Sequence, residues 1–275
     1  MSVSAGDPRA IGVFDSGVGG LTVLSEMHRR LPNESTIYLG DNARAPYGPR
    51  PADEVRRFTL EGIEWLMRQD PKLLVLACNT ATSQALDEVR VASPVPVLGV
   101  VRPGAVSAAA STRVGRVGVI ATAGTVRSGA YPAAIEEAKS GIVVSQQACP
   151  DLVPLVEAGR TNDEAAHAAV SDYLGELLAA DPQIDTLLLG CTHYPLLRPM
   201  IEDVVGQSVA VVDSAFTTAL AVEDLLDAIG ARMPGREPGS RRVASTGDLH
   251  RFAGVAARIF GEALPTVEAA ELVSD

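Results

Sequence analysis

The sequence predicts an α/β protein made of two pseudo-symmetric open parallel-sheet domains with the active site in the crevice between them. Three observations carry this expectation. Short apolar runs alternate with amphipathic helical stretches along most of the chain, the pattern of a parallel sheet with helical crossovers. A glycine turn follows the first of these runs and leads into a helix. The whole pattern then recurs once at a nearly constant offset.

Taken in order, "IGVF" (Ile11 to Phe14) reads as a buried strand, followed by a glycine turn. Leu21, Leu24, Met27 and Leu31 then recur at helical spacing until Pro32 stops the helix. Further strands are expected at "TIYLG", "LLVLA", "VPVLGVV", "RVGVIA", "GIVVSQQ", "TLLLG" and "VAVVDS". "MPGREPGS" (Met233 to Ser240) is a Pro/Gly loop before a last helix around Leu249 to Phe260, and Pro265 to Asp275 reads as a frayed tail.

Three landmarks define the repeat. "IGVFDS" returns as "VGVIAT", from Ile11 to Val117, an offset of 106. "DPKLLVLACNT" returns as "DPQIDTLLLGCTH", which sets Cys78 and Cys191 at an offset of 113, and "VPVLGVV" returns as "SVAVVDS". The expected boundaries are 1–98 plus 213–275 for the first domain, carrying Cys78, and 99–212 for the second, carrying Cys191.

Composition narrows the function. With 275 residues and 47% hydrophobic content the chain can bury a substantial core. The net charge of -11, without any basic run to offset it, argues against nucleic-acid or anionic-membrane partners. "MSVSAGDPRA" lacks a signal-peptide core and no stretch is long enough to span a bilayer, so the expected location is cytoplasmic. Three well-separated cysteines without CxxC spacing argue against a disulfide framework or a zinc site. No Schiff-base lysine stands out, and no metal or cofactor is expected.

The chemistry lies at the strand ends, where ligands of open parallel sheets bind. Cys78 and Cys191 both follow apolar strands, so two facing halves would bring two thiols to opposite sides of one ligand. Inverting a stereocentre needs that arrangement, a base to remove the proton from one face and an acid to return one on the other. A thiol with a reference pKa near 8.5 is tunable for either role. Asn79 and Thr80 follow one cysteine, Thr192 and His193 the other, supplying donors and acceptors. "DSGVGG" (Asp15 to Gly20) permits close backbone approach at a helix N-terminus, and "APYGPR" places Tyr47 and Gly48 in a rigid loop.

Plainer readings compete. A cysteine after a strand is ordinarily a small core residue, and Cys149 keeps that reading, whereas the repeat and the polar followers set Cys78 and Cys191 apart. Asp15 and Ser16 fit a helix cap as well as a ligand site. His28, His167 and His250 read as surface or packing residues, and the acidic stretch at Asp163 and Glu164 as a solvated face. A non-enzymatic small-ligand binding module, with both thiols buried and inert, is the alternative from another class.

The blocks "FDSGVGGLTVL", "LGDNARAPYGPR", "ACNTAT", "GVIATAGTV", "ACPDLVPLVEAG" and "LLLGCTHYPLL" resemble, in order, those of the cofactor-independent glutamate racemase family, and "STGDLHRFAGVAARIFG" resembles its closing helix. The resemblance implies Cys78 and Cys191 as the catalytic bases, with Asp15 assisting the first and His193 the second. It implies glutamate contacts from Asp15, Ser16, Tyr47, Gly48, Asn79, Thr80, Thr192 and His193. Thr122 and Thr125 would lie near the distal carboxylate, with Glu157 as an acid behind the direct contacts. A homodimer supplying D-glutamate for peptidoglycan is implied too, and some members of the family inhibit DNA gyrase. Aspartate or hydantoin racemases would share both cysteines but differ in the loop that reads the side chain. Asp151, where the family is usually apolar, and the small residues of "IATAGT" depart from the pattern and leave the pocket shape and dimer contacts open.

Overall fold

A computed structural model describes residues 6–235, 237–260, 264 and 266–272. Strands β1 (Ile11–Asp15), β2 (Thr36–Gly40), β3 (Leu73–Leu76) and β4 (Val97–Gly99) form one parallel sheet with two later strands. Strands β5 (Arg116–Ala121), β6 (Val143–Ala148), β7 (Thr186–Gly190) and β8 (Ala210–Asp213) form a second. The later strands, β9 (Arg241–Ser245) and β10 (Val267–Ala269), complete the first sheet in the order β10-β9-β2-β1-β3-β4, and the second runs β6-β5-β7-β8. Every pairing is parallel.

The repeat read from the sequence is therefore a repeat of topology. The order β2-β1-β3-β4 matches β6-β5-β7-β8 strand for strand, and the three sequence landmarks fall on the pairs β1/β5, β3/β7 and β4/β8. All eight expected strands form. "VPVLGVV" contributes only Val97–Gly99, because Val101 already opens the next helix. The tail expectation is corrected: Val267–Ala269 pairs with Val243–Ser245 and Ala270 is buried, while Pro265 and 273–275 lie outside the described residues.

Helices cover both faces of each sheet, which is why β1, β3 and β7 carry uninterrupted apolar runs and are buried throughout. In the first lobe, α1 (Leu21–Arg30), α10 (Ser214–Ala228) and α11 (Leu249–Phe260) share one apolar core with one sheet face. Helices α2 (Ala52–Met67) and α3 (Asn79–Ala92) cover the other. In the second lobe α4 (Val101–Ser111), α5 (Ala123–Ser128) and α6 (Ala130–Ala138) lie opposite α7 (Leu152–Glu157), α8 (Glu164–Ala180) and α9 (Arg198–Val205). Asp163, read as part of a solvated face, caps α8 by accepting from the Ala166 N–H at 2.9 Å. At the opposite sheet end from the cysteines, Lys72 and Glu34 form a buried ion pair at 2.5 Å, and the Lys72 ammonium also donates to the carbonyls of Asp7 and Ala231.

Candidate active site

Both cysteines stand just past the carboxyl ends of equivalent strands, and both line one cavity of about 230 Å³ between the lobes. That is below the roughly 300–1,000 Å³ of pockets for drug-sized ligands, and the cavity suits a molecule of amino-acid size. The two settings differ in kind. Cys78 is the N-cap of α3, its sulfur accepting from the Ala81 N–H at 3.4 Å and lying 3.4 Å from the Ser16 hydroxyl. Cys191 precedes only a short 3₁₀ turn, Tyr194–Leu197, and its sulfur lies 3.7 Å from Nδ1 of His193. The other ring nitrogen of His193 is 3.2 Å from Oε1 of Glu157, which closes α7.

These surroundings divide the protons. Burial, reinforced by the nearby Asp15 carboxyl, pushes the Cys78 thiol up to about 12 despite the Ser16 and Ala81 hydrogen bonds. For His193 burial works against the charged form, but its hydrogen bonds to Cys191 and Glu157 outweigh it and hold the imidazole up to about 10. Asp15 is itself raised by burial. One of its carboxylate oxygens accepts from the Gly17 N–H at 2.9 Å and the other has no protein partner.

Ser16, Tyr47, Gly48, Asn79, Thr80, Thr192 and His193 all line the cavity, as do Thr122 and Glu157. Two of the sequence candidates do not. Asp15 is 1% exposed at the end of β1, set behind the cavity wall, and Thr125 is fully buried beneath Thr80 and Thr122, to which it is hydrogen-bonded. Tyr47 presents its ring, but its hydroxyl turns away to donate to Asp41. Pro150, Val153 and Pro154 of the loop and helix before Glu157 also form the wall, and only the block "ACPDLVPLVEAG" pointed to them.

Hydrogen bonds between the lobes join the walls of the cavity. The Gly124 N–H donates to the Gly48 carbonyl at 2.8 Å, the Thr80 and Thr122 hydroxyls meet at 2.8 Å, and the Thr22 hydroxyl donates to the Thr192 carbonyl at 3.1 Å. The glycine loop makes this approach possible, since a Cβ on Gly19 would stand 2.4 Å from Nδ1 of His193. Sequence reasoning missed Tyr131, whose hydroxyl accepts from the Asn79 amide at 2.6 Å across the lobe interface, and Asp41, which fixes Tyr47. Both pairings join positions that no spacing rule connects.

Two matched parallel-sheet lobes that present one cysteine each to a shared cavity define a two-lobed α/β protein with its candidate site between the lobes. The Asp/Glu/Hydantoin racemase family matches residues 11–222, and the chain belongs to that family, in its glutamate racemase branch. It is 47% identical to the glutamate racemase of Oceanobacillus iheyensis, with 92% of each chain covered. It is 50% identical to that of Geobacter metallireducens over 84% of this chain and 85% of the relative. Among solved structures, the glutamate racemase isoform RacE1 of Bacillus anthracis superposes with a TM-score of 0.91 at 40% identity, covering 96% of this chain and 98% of the other. The Francisella tularensis glutamate racemase in complex with D-glutamate gives 0.89 at 30% identity, covering 96% and 98%.

Proposed function

We propose that the protein interconverts L- and D-glutamate by two-base proton transfer at Cα, with Cys78 and Cys191 as the two bases. The observation that carries this reading is the pair of cysteines at topologically equivalent strand ends on one small cavity. A thiolate on one face takes the Cα proton, and the electron pair left behind delocalises into the adjacent carboxyl group. The thiol on the opposite face then gives its proton to Cα, so the product has the opposite configuration and the two sulfurs have exchanged protonation states. Burial keeps the proton on Cys78, and the His193 cation stands 3.7 Å from the Cys191 sulfur. Asp15 supports the first thiol from behind the wall, while Glu157 holds His193 charged for the second. Ser16, Tyr47, Gly48, Asn79, Thr80, Thr192 and His193 contact the substrate, with Thr122 near its distal carboxylate.

Glutamate is favoured over aspartate by the glutamate racemases that match at 44–50% identity over most of the chain. The Picrophilus torridus aspartate racemase is only 18% identical and shares the fold. Assembly as a homodimer in the cytoplasm, supplying D-glutamate for peptidoglycan, completes the proposal. No described helix is long and apolar enough to cross a membrane. Among the described residues no group of three or more His, Cys, Asp or Glu side chains is placed to hold a metal ion. The test is incubation with L-glutamate in deuterated water without added cofactor, following optical rotation and Cα deuterium. Loss of rotation with deuterium at Cα is expected, and absence of both would overturn the assignment.

A further inference from the structure

Tyr131 is fully buried on α6 of the second lobe, yet it touches the residues next to both cysteines. Its hydroxyl accepts a 2.6 Å hydrogen bond from Nδ2 of Asn79, the first residue of α3 and the neighbour of Cys78. Its ring lies against Gly190, the neighbour of Cys191, so closely that a Cβ there would come within 2.8 Å of the ring edge. A buried phenol requires a polar partner, and this one takes it from the opposite lobe. The Asn79 amide is thereby fixed before any ligand arrives. Its oxygen, buried at the cavity wall, has no protein partner, and a buried acceptor left in that state is destabilising until a donor reaches it.

We propose that Tyr131 is a positioning residue for racemisation: it holds the Asn79 amide with its oxygen free for a donor on the substrate, and braces the end of the strand that carries Cys191. This rests on the racemase reading, in which the substrate's donor is its α-ammonium group. A fixed acceptor spares the ligand the cost of ordering it. The ring, by filling the space beside Gly190, keeps the second thiol loop from collapsing toward the first.

The test is a double-mutant cycle on the full chain, with Tyr131→Phe, Asn79→Ala and the double variant assayed for kcat and KM with L- and D-glutamate. Tyr131→Phe keeps the ring and frees the amide, so kcat/KM falls about tenfold, carried mainly by KM. If Tyr131 acts through Asn79, adding Tyr131→Phe to Asn79→Ala costs no more than a further twofold. Losses that multiply, or a Tyr131→Phe enzyme within twofold of the unmodified one, would overturn the proposal while leaving the racemase reading intact. An inactive unmodified enzyme would instead remove that reading. Site-specific 3-fluorotyrosine at position 131 gives a readout independent of how the phenylalanine variant folds. Its fluorine resonance should move on saturation with D-glutamate in the otherwise unmodified chain and stay fixed in the Asn79→Ala background. A resonance that ignores the ligand in the former refutes the link.

Discussion

Replacing Glu157 by Gln removes one charge from the chain Cys191, His193, Glu157 and leaves its shape nearly unchanged. The imidazole stands at about 10, against an ordinary value of 6.5, because two hydrogen-bonded partners outweigh its burial. Glu157 contributes through a 3.2 Å contact, and its side chain is 34% exposed, so solvent screening reduces its share to about 1–2 kcal/mol. At 1.36 kcal/mol per unit this lowers the imidazole by roughly one unit. In Glu157→Gln the alkaline limb of the kcat/KM profile should therefore move from near pH 10 to near pH 9. At neutral pH the imidazole is still protonated and the rate nearly unchanged, whereas at pH 10 the loss is about fivefold. Racemisation followed by circular dichroism between pH 6 and 11 measures this. The reasoning fails if the limb does not move, or if the loss is the same at every pH. Stability follows the same sign: a raised imidazole contributes fully below pH 6.5, and the contribution is lost as pH rises through about 10. Glu157→Gln narrows that window from above.

Cys78→Ala and Cys191→Ala should each abolish turnover while shifting the melting temperature by only a few degrees, since each removes one small buried sulfur; near-normal turnover in either would refute the two-base mechanism. Gly19→Ala drives a methyl group to 2.4 Å from the His193 ring and 2.5 Å from the Thr192 hydroxyl, so activity should drop at least a hundredfold, and an unimpaired variant would show that the lobes need not close this far. Lys72→Met strands the Glu34 carboxylate in the interior and should cost about 3–5 kcal/mol in urea unfolding, much of it recovered in Lys72→Met/Glu34→Leu. A double variant no more stable than the single would contradict the stranded-charge explanation.

The duplicated sheet was legible because buried parallel strands must be apolar along their whole length, and the chain writes that pattern twice. Strands β9 and β10 were not, and for a related reason: "RRVAS" begins with two exposed arginines and "VEA" is a three-residue edge, so neither has an apolar run to announce it. The strand ends and the repeat together placed Cys78, Cys191 and the polar residues after them around one cavity. The recess of Asp15 could not, because the end of a strand does not reveal which layer its last side chain enters. No motif or spacing marks Tyr131, since its partner Asn79 is 52 residues away in the other lobe. The hydroxyl of Tyr47 was equally unreadable, since only the folded chain sets Asp41 beside it.

The two halves stabilise a sulfur by different means, one with the first turn of a fourteen-residue helix and the other with an imidazole. Enantiomers have identical free energies in water, so detailed balance requires a racemase to have the same kcat/KM in both directions whatever its mutations. The unlike halves cannot make the enzyme prefer one mirror image at equilibrium. Their inequality must emerge in the separate constants, as a tighter but slower reaction from one hand and a looser but faster one from the other. Two halves alike in topology and unlike in electrostatics thus adjust how the enzyme saturates with each enantiomer without disturbing the balance it maintains.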